Sequence, residues 1–407
     1  MMFNENWVTL AAFAILIGLV FRQGGLLVIA MLVLIAAAVG WSWNRYSLYG
    51  IQYKRSFSER RAFLGETVDV TVRVTNHKWL PVSWLRIDDE YPLPLTMLDG
   101  EAQPSTKPDI GLLSSVMSLR WFDRARWRYR LRCDKRGVYA FGPAHLQSGD
   151  LFGLFSSRVD EPSQDWLIIY PAVKPIADLT LPPKEPFGDI KGRQWIFEDP
   201  SRAVGIRDYG AQDDLKRIHW KATARQQKLQ VKVYEPTTTF QLVIFLDMVT
   251  LPKPWYGSIP ELLERGISAA ASIASYAVEK RFQVGLFANG CWPQSDQPLK
   301  VLPSRNPNQL TRILEALAAV SAVPTIPIEA LLNKESTYLP WGATLLVVAA
   351  VVTEELLAVM TRLQAAGRRM VLVCLEDTPL PLAAPKIMVH RVQDLGEAFG
   401  FRTEAQG

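Results

Sequence analysis

The hydrophobic residues of this chain change their period along its length, and no other feature of the sequence constrains the fold as much. Between Glu5 and Arg22 lie 16 uncharged residues, and between Arg22 and Arg45 lie 22. From Gly65 the pattern shortens to a period of two, with Val68, Val70, Val72 and Val74 alternating with Thr67, Asp69, Thr71, Arg73 and Thr75. From Phe240 the apolar residues form continuous runs, FQLVIFL first, set between helical stretches. Alternation marks a strand buried on one face, whereas a short unbroken run marks a strand buried on both. At 407 residues the chain has room for two or three such units.

At a rise of about 1.5 Å per residue the two uncharged stretches reach roughly 24 and 33 Å as helices, against a hydrocarbon core of about 30 Å. They read as an N-terminal transmembrane helical hairpin over residues 1–50, turned at Arg22-Gln23-Gly24-Gly25. A cleaved signal peptide would need a basic region ahead of the apolar stretch, and MMFNENW has no Lys or Arg. Arg45, Lys54, Arg55, Arg60 and Arg61 follow the second stretch. The positive-inside rule therefore expects a two-pass protein of the plasma membrane, with the large remaining part cytoplasmic and membrane lipid as a partner of those basic residues.

Residues 51–171 read as an antiparallel, β-sandwich-like domain. Strand patterns at VDVTVRV and VSWLRIDDEYP precede a Pro-, Gly- and Ser-rich loop from Pro92 to Pro108, and Gly137, Gly142 and Gly149 punctuate further short strands. In one of them Arg126, Arg128, Arg130 and Arg132 share a face opposite Trp127, Tyr129, Leu131 and Cys133. Such a ladder can grip an anion, but a charged outer face is also how a sheet keeps one side in water. The net charge is only +5 and no nucleic-acid reader motif accompanies the arginines, so no nucleic-acid partner is expected. Three separated cysteines and four scattered histidines encode neither a disulfide framework nor a zinc site.

Residues 236–407 read as an α/β doubly wound domain. The strand Phe240–Leu246 is followed by helices at Ile259–Lys280, Asn308–Val320 and Glu354–Ala366, and by strands beginning near Gln283, Leu345 and Met370. This alternation implies a parallel sheet covered by helices on both sides. Ligands in such sheets sit beyond the carboxyl ends of the strands, where Asp247 stands.

Residues 172–235 form a linker and connector, in which RDYGAQDDLKRIHWKATARQQKLQVKVYE falls into a short helix, with Asp213 or Asp214 available as its cap, and then a strand. Leu215, Ile218 and Ala222 recur at helical spacing as its buried stripe. The cluster Arg207, Tyr209, Asp213, Asp214, Arg217, Ile218, His219, Trp220, Thr223, Ala224 and Arg225 resembles the hallmark of a bacterial family catalogued as domain of unknown function fifty-eight. Gln212 departs from it, standing where that family usually has glycine. The resemblance implies a protein of the bacterial inner membrane with a von Willebrand factor A-like domain. It also implies partners of the MoxR-type AAA+ ATPase class and transglutaminase-like membrane proteins.

A von Willebrand factor A-like domain would place a metal at an Asp-x-Ser-x-Ser run, but here the run is Asp247-Met248-Val249-Thr250-Leu251. Both hydroxyl positions are lost, so the ion site at Asp247 is degenerate and neither a metal nor another cofactor is expected. The motif residues read as a hydrogen-bonded knot rather than a catalytic set, because His219 and Thr223 would share a helix face from which Asp213 points away. The expected function is thus a noncatalytic protein-interaction scaffold working with a MoxR-type ATPase in assembly or envelope maintenance. The alternative is a membrane-bound hydrolase using Asp213, Asp214 and His219.

Overall fold

Each strand buries what its period dictates, and the two periods lie in different units of the chain. A computed structural model describes residues 24–100, 103–153, 155–176, 198–210, 218–236, 240–252, 257–293, 295–375 and 387–392. Residues 1–172 with 317–319 make one compact unit, and residues 173–316 with 320–407 make the other.

The first unit opens with helix α1 (Gly24–Ser47), followed by β1 (Ile51–Phe57), β2 (Arg61–Phe63), β3 (Thr67–Asn76), β4 (Val82–Pro92), β5 (Thr96–Met97) and β6 (Gln103–Pro104). Next come β7 (Ile110–Leu119), β8 (Arg124–Arg132), β9 (Gly137–Phe141), β10 (Ala144–Gly149), β11 (Ser156–Glu161) and β12 (Asp165–Tyr170). They form sheets of order β1-β3-β8-β5, β11-β10-β4-β7-β6 and β2-β12-β9. Val72 and Val74 of β3 share a buried cluster with Leu85 and Ile87 of β4, while Val68 and Val70 pack with Tyr91, Leu131 and Phe141. The stretch from Pro92 to Pro108, expected as a loop, contributes β5 and β6, because Met97 pairs with Leu131 and Pro104 with Gly111.

Alternation also carries charge inward. On β4 the face that holds Leu85, Ile87 and Tyr91 holds Asp89 as well, and on β1 the face of Tyr53 and Phe57 holds Arg55. The two side chains are 1% and 5% exposed and form an ion pair, Arg55 giving Nε to Asp89 Oδ2 at 3.0 Å and Nη2 to Oδ1. The Tyr53 hydroxyl donates to Asp89 Oδ2 at 2.6 Å, and Arg55 Nη1 donates to the Phe141 carbonyl at 2.9 Å. Burial pushes the Asp89 carboxyl above its usual range against the pull of Arg55, and it raises the Tyr53 hydroxyl too. Gly142 admits the guanidinium, since a Cβ there would lie 2.6 Å from the Ser163 carbonyl and 3.0 Å from Arg55 Nη2.

Two expectations are corrected here. Among the described residues no helix is long and apolar enough to cross a membrane. The transmembrane hairpin over residues 1–50 is therefore not the architecture, and the two-pass plasma-membrane placement that followed from it falls with it. The first arm, residues 1–23, lies outside the described residues. The second arm is α1, and its C-terminal part is taken up by packing: Ala37, Gly40 and Ser47 are buried. A Cβ at Gly40 would sit 3.0 Å from Asp150 Oδ2 and 3.4 Å from Phe155, and Asn44 Oδ1 accepts from the Ser157 hydroxyl at 2.9 Å. What precedes Ala37 in α1 reaches roughly 20 Å, short of a hydrocarbon core of about 30 Å. Lys78 Nζ closes the end of α1 by donating to the carbonyls of Tyr46, Ser47 and Tyr49, the favourable position for a cation on a helix dipole.

The second unit contains β13 (Glu198–Asp208), α2 (Trp220–Gln226), β14 (Gln230–Pro236), β15 (Gln241–Leu246), α3 (Pro260–Glu279), β16 (Gln283–Cys291), β17 (Pro298–Ser304) and α4 (Gln309–Ala319). Then follow α5 (Ile328–Ser336), β18 (Thr344–Ala349), α6 (Glu354–Ala365), β19 (Arg369–Cys374) and β20 (Met388–Arg391). The large sheet has the order β17-β16-β15-β18-β19-β20, parallel throughout except for the edge strand β17. Val243 and Phe245 pack with Leu331 and Leu332 of α5 and Leu356 and Met360 of α6. Leu246 points the other way, toward α3, where a Cβ on Gly266 would lie 3.6 Å from it. Mixed α/β structure with helices on both faces is the result, while β13 and β14 pair apart as a two-stranded ribbon.

Removing only the cation from the buried pair leaves a desolvated carboxylate. Arg55→Met is expected to lower unfolding stability by about 3–5 kcal/mol, and Arg55→Met with Asp89→Leu to recover most of that loss. Urea denaturation of both variants checks this, and equal losses would show that the pair is not the determinant.

Candidate functional site

Two places in the second unit gather polar side chains into one geometry. The first is the ribbon with the short helix α2 between its strands. Tyr209 N–H donates to the Leu229 carbonyl at 2.9 Å, and His219 N–H to the Gln230 carbonyl at 2.7 Å. Ile218 bridges to Val231, and Ile218, Ala222 and Val231 are buried. His219 is the N-cap of α2, its Nδ1 accepting from the Ala222 N–H at 3.1 Å. Accepting at Nδ1 puts the proton of the neutral ring on Nε2. Thr223 Oγ1 accepts from the Gln230 N–H at 3.0 Å, and the buried Gln230 amide donates to Asp208 Oδ1. Gln227, at φ 51°, ends the helix in the left-handed region.

Sequence spacing had His219 inside the helix and Asp213 or Asp214 as its cap. Instead α2 begins at Trp220, so the cap position falls on His219. Asp213, Asp214 and Arg217 lie outside the described residues, as does Leu215 of the expected apolar stripe, while Ile218 and Ala222 are buried. Arg207, Trp220 and Arg225 are exposed, Trp220 at 69%. Of the motif residues, His219 and Thr223 are brought together, through the backbone of Gln230. Gln230 itself was not anticipated; its signal was a polar residue opening a strand pattern beside the motif.

The second place is the carboxyl end of β15. The chain leaves β15 for β16 on one side and returns to β18 on the other, so the strand order reverses at this strand. Crevices in open α/β sheets form at such reversals. Asp247, 6% exposed, donates its N–H to the Val348 carbonyl at 2.9 Å. Its Oδ1 accepts from Asn289 Nδ2 at 2.8 Å and from the Val249 N–H at 3.0 Å. Asn289, fully buried, accepts from the Met248 N–H at 2.8 Å through Oδ1, and its carbonyl takes both the N–H and the hydroxyl of Thr325, at 2.8 and 3.0 Å. Burial pushes the Asp247 carboxyl up to about 6, the hydrogen bonds from Val249 and Asn289 holding it down and the charge of Glu329 adding to the rise.

An ion of the kind held by a von Willebrand factor A-like domain needs hydroxyl and carboxylate oxygens directed at one point. Here the donor set does not fit. Val249 and Leu251 carry no oxygen. Thr250 Oγ1 accepts from the Ile259 N–H at 2.7 Å, and Thr353 Oγ1 caps α6 by accepting from the Leu356 N–H at 3.1 Å. Among the described residues no group of three or more His, Cys, Asp or Glu is placed to hold a metal. Asn289, the partner that sequence reasoning missed, was visible only as a polar residue near the end of the apolar strand QVGLFAN.

Comparison with known proteins places residues 205–395 under the family described as protein of unknown function DUF58. The uncharacterized protein YeaD of Bacillus subtilis (strain 168) is 23% identical over 247 residues, which cover 60% of this chain. The match spans 57% of that relative's length. Among solved structures, the sporulation control protein Spo0M of Bacillus subtilis aligns with TM-score 0.19 and 12% identity over 30% of this chain and 49% of its own. The C-terminal domain of wzt aligns with TM-score 0.20 and 10% identity over 30% of this chain and 75% of its own. Scores this low carry no conclusion about fold or function.

Two substitutions test these networks. A carboxyl raised to about 6 in the folded state, against about 3.9 unfolded, contributes stability that is complete below about pH 4 and lost as pH rises through about 6. Asp247→Asn keeps an acceptor oxygen and removes the charge. It should raise stability at pH 7.5 by about 2 kcal/mol and flatten the profile between about pH 4 and 6, read as the difference between wild type and variant in urea melts. At the cap, His219→Ala should cost about 1 kcal/mol while His219→Asn, a good N-cap, costs a few tenths. Amide exchange across α2 separates the two, and equal fraying in both would show that the imidazole does not cap.

Proposed function

We propose, for a chain whose residues 205–395 match the DUF58 family, that the protein is a noncatalytic interaction scaffold whose α/β unit is von Willebrand factor A-like and docks another protein at the carboxyl end of its sheet. The observation that carries this reading is the commitment of His219, Thr223 and Asp247, the described side chains best suited to chemistry. His219 Nδ1 and Thr223 Oγ1 accept backbone N–H groups at 3.1 and 3.0 Å, and Asp247 Oδ1 accepts two donors. A general base must have its lone pair free for the substrate proton, and a capped helix uses it up. The strand order, with β15 flanked by β16 and β18 and Asp247 at its end, supports the A-like assignment. Around that end Trp292 and Val323 are 38% and 64% exposed, which suits a protein-binding rim.

The partner class implied by the family resemblance is a MoxR-type AAA+ ATPase. Docking through apolar rim residues rather than through an ion predicts that Val323→Asp weakens binding of a purified MoxR-type ATPase at least tenfold, whereas Asp247→Asn changes it less than threefold. Biolayer interferometry on the full chain reads both. No complex with the wild type, or a tenfold loss with Asp247→Asn alone, rules the reading out.

A further inference from the structure

The arginine ladder of β8 is two different surfaces. Its register places side chains in rows across the outer face of β1, β3 and β8: Gln52 with Thr75 and Arg124, then Lys54 with Arg73 and Arg126, then Ser56 with Thr71 and Arg128. Farther along, Asp69 pairs with Arg130 and Thr67 with Arg132. From Arg128 onward, the farther half, each arginine has a carboxylate: Arg128 with Asp69 at 3.5 Å, Arg130 with Asp99 at 2.7 Å and Arg132 with Asp134 at 2.7 Å. In the nearer half Lys54, Arg73, Arg124 and Arg126 have no carboxylate partner among the described residues. With Gln52 and His77 these four cations line a groove of about 520 Å³.

Like charges directly opposite one another destabilise a sheet. A face kept merely soluble mixes its signs, as the farther half does. The nearer half instead sets Lys54, Arg73 and Arg126 in one row, with Arg124 two residues along β8. Cross-strand neighbours lie about 5 Å apart and alternate residues about 7 Å apart. Guanidinium groups at that spacing match phosphate oxygens, which they bind through paired N–H donors. Gln52 and His77, whose side chains meet at 3.3 Å, supply further polar atoms at the groove's end.

We propose that this groove is a binding site for phosphate groups, taking a ligand that carries at least two of them about 5–7 Å apart. Two sources share that chemistry: a soluble oligophosphate, and the headgroups of an anionic lipid surface touched from outside, which needs no membrane-crossing helix. The turns bordering the groove distinguish them. Asn76 N–H bonds the Asp123 carbonyl and His77 N–H the Gly50 carbonyl, so the turns after β3 and before β8 share this end of the sheet. They present Trp79 and Phe122, 78% and 49% exposed with ring centroids 5.0 Å apart, and Trp121, 62% exposed. A lipid surface would take up these rings and a soluble ligand would not.

The test uses the full chain and two probes, tripolyphosphate by calorimetry and phosphatidylglycerol vesicles by co-sedimentation. At least one probe binds the wild type, and Arg73→Gln with Arg126→Gln weakens it at least tenfold. The control, Arg130→Gln with Arg132→Gln, removes the same charge from the neutralised half and changes binding less than threefold. If the groove double variant does not fold, Lys54→Gln alone gives the readout, with at least a threefold loss expected. Trp79→Ala weakens vesicle binding only if lipid is the source and leaves tripolyphosphate binding intact. Failure of both probes to bind the wild type overturns the proposal, as does an equal loss in groove and control variants.

Discussion

A strand buried on both faces can end in a carboxylate only if that carboxylate finds donors of its own. Leu242 to Phe245 are fully buried, and the chain leaves the sheet at Asp247 while still under cover. Asp247 is only 6% exposed, and an unpaired buried charge costs several kcal/mol. Asn289, brought alongside by the parallel register of β15 with β16, donates its amide N–H to Asp247 Oδ1 and accepts the Met248 N–H at its side-chain oxygen. One asparagine thus satisfies the side chain and the turn backbone that follows it. The end of the sheet is closed by this exchange, and the neighbouring hydroxyls of Thr250 and Thr353 are occupied with loop and helix backbone. The oxygens of Asp247, Thr250 and Thr353 serve turn and helix-cap geometry here.

In the first unit the same rule acts through a period of two. Alternation along β1 and β4 drives Arg55 and Asp89 to the inner face together with valines and leucines, and their mutual contact, with the Tyr53 hydroxyl, makes that burial tolerable. A core carrying one specific pair accepts one register, because a slip by a single residue would strand both charges. On the outer face the rule is relaxed and charges are free to gather. Three of the five arginines of β8 are neutralised there by Asp69, Asp99 and Asp134, and Arg124 and Arg126 are not. Surface charge is thus distributed by where the acidic partners fall, not by the ladder itself.

Of the motif residues that the structure describes, His219 and Thr223 are committed to backbone groups. His219 caps a helix of seven residues, Thr223 ties that helix to the next strand, and Gln230 ties both to Asp208. A helix so short has little stability of its own; its caps and its contact with β14 hold it. Among the described motif residues Arg207, Trp220 and Arg225 are exposed.

Hydrophobic periodicity by itself marked the long strands β3, β4, β8, β15, β16, β18 and β19, the covering of β3 on one side and β15 on two, and the alternation of helices with strands after Phe240, since these follow from local burial patterns. The length of an apolar stretch, by contrast, says nothing of what covers it, and the packing of α1 from Ala37 onward against Asp150, Phe155 and Ser157 made the difference there. The short helix α5 and the edge strand β17 escaped notice because a nine-residue helix and a seven-residue edge strand have too few turns or alternations to stand out. Pairings such as Asp247 with Asn289, Thr223 with Gln230, and arginines with or without carboxylates were decided only in the tertiary structure. They join residues through strand register and chain reversal, and hydrogen-bond geometry is set by those distances in space, to which spacing along the chain gives no access.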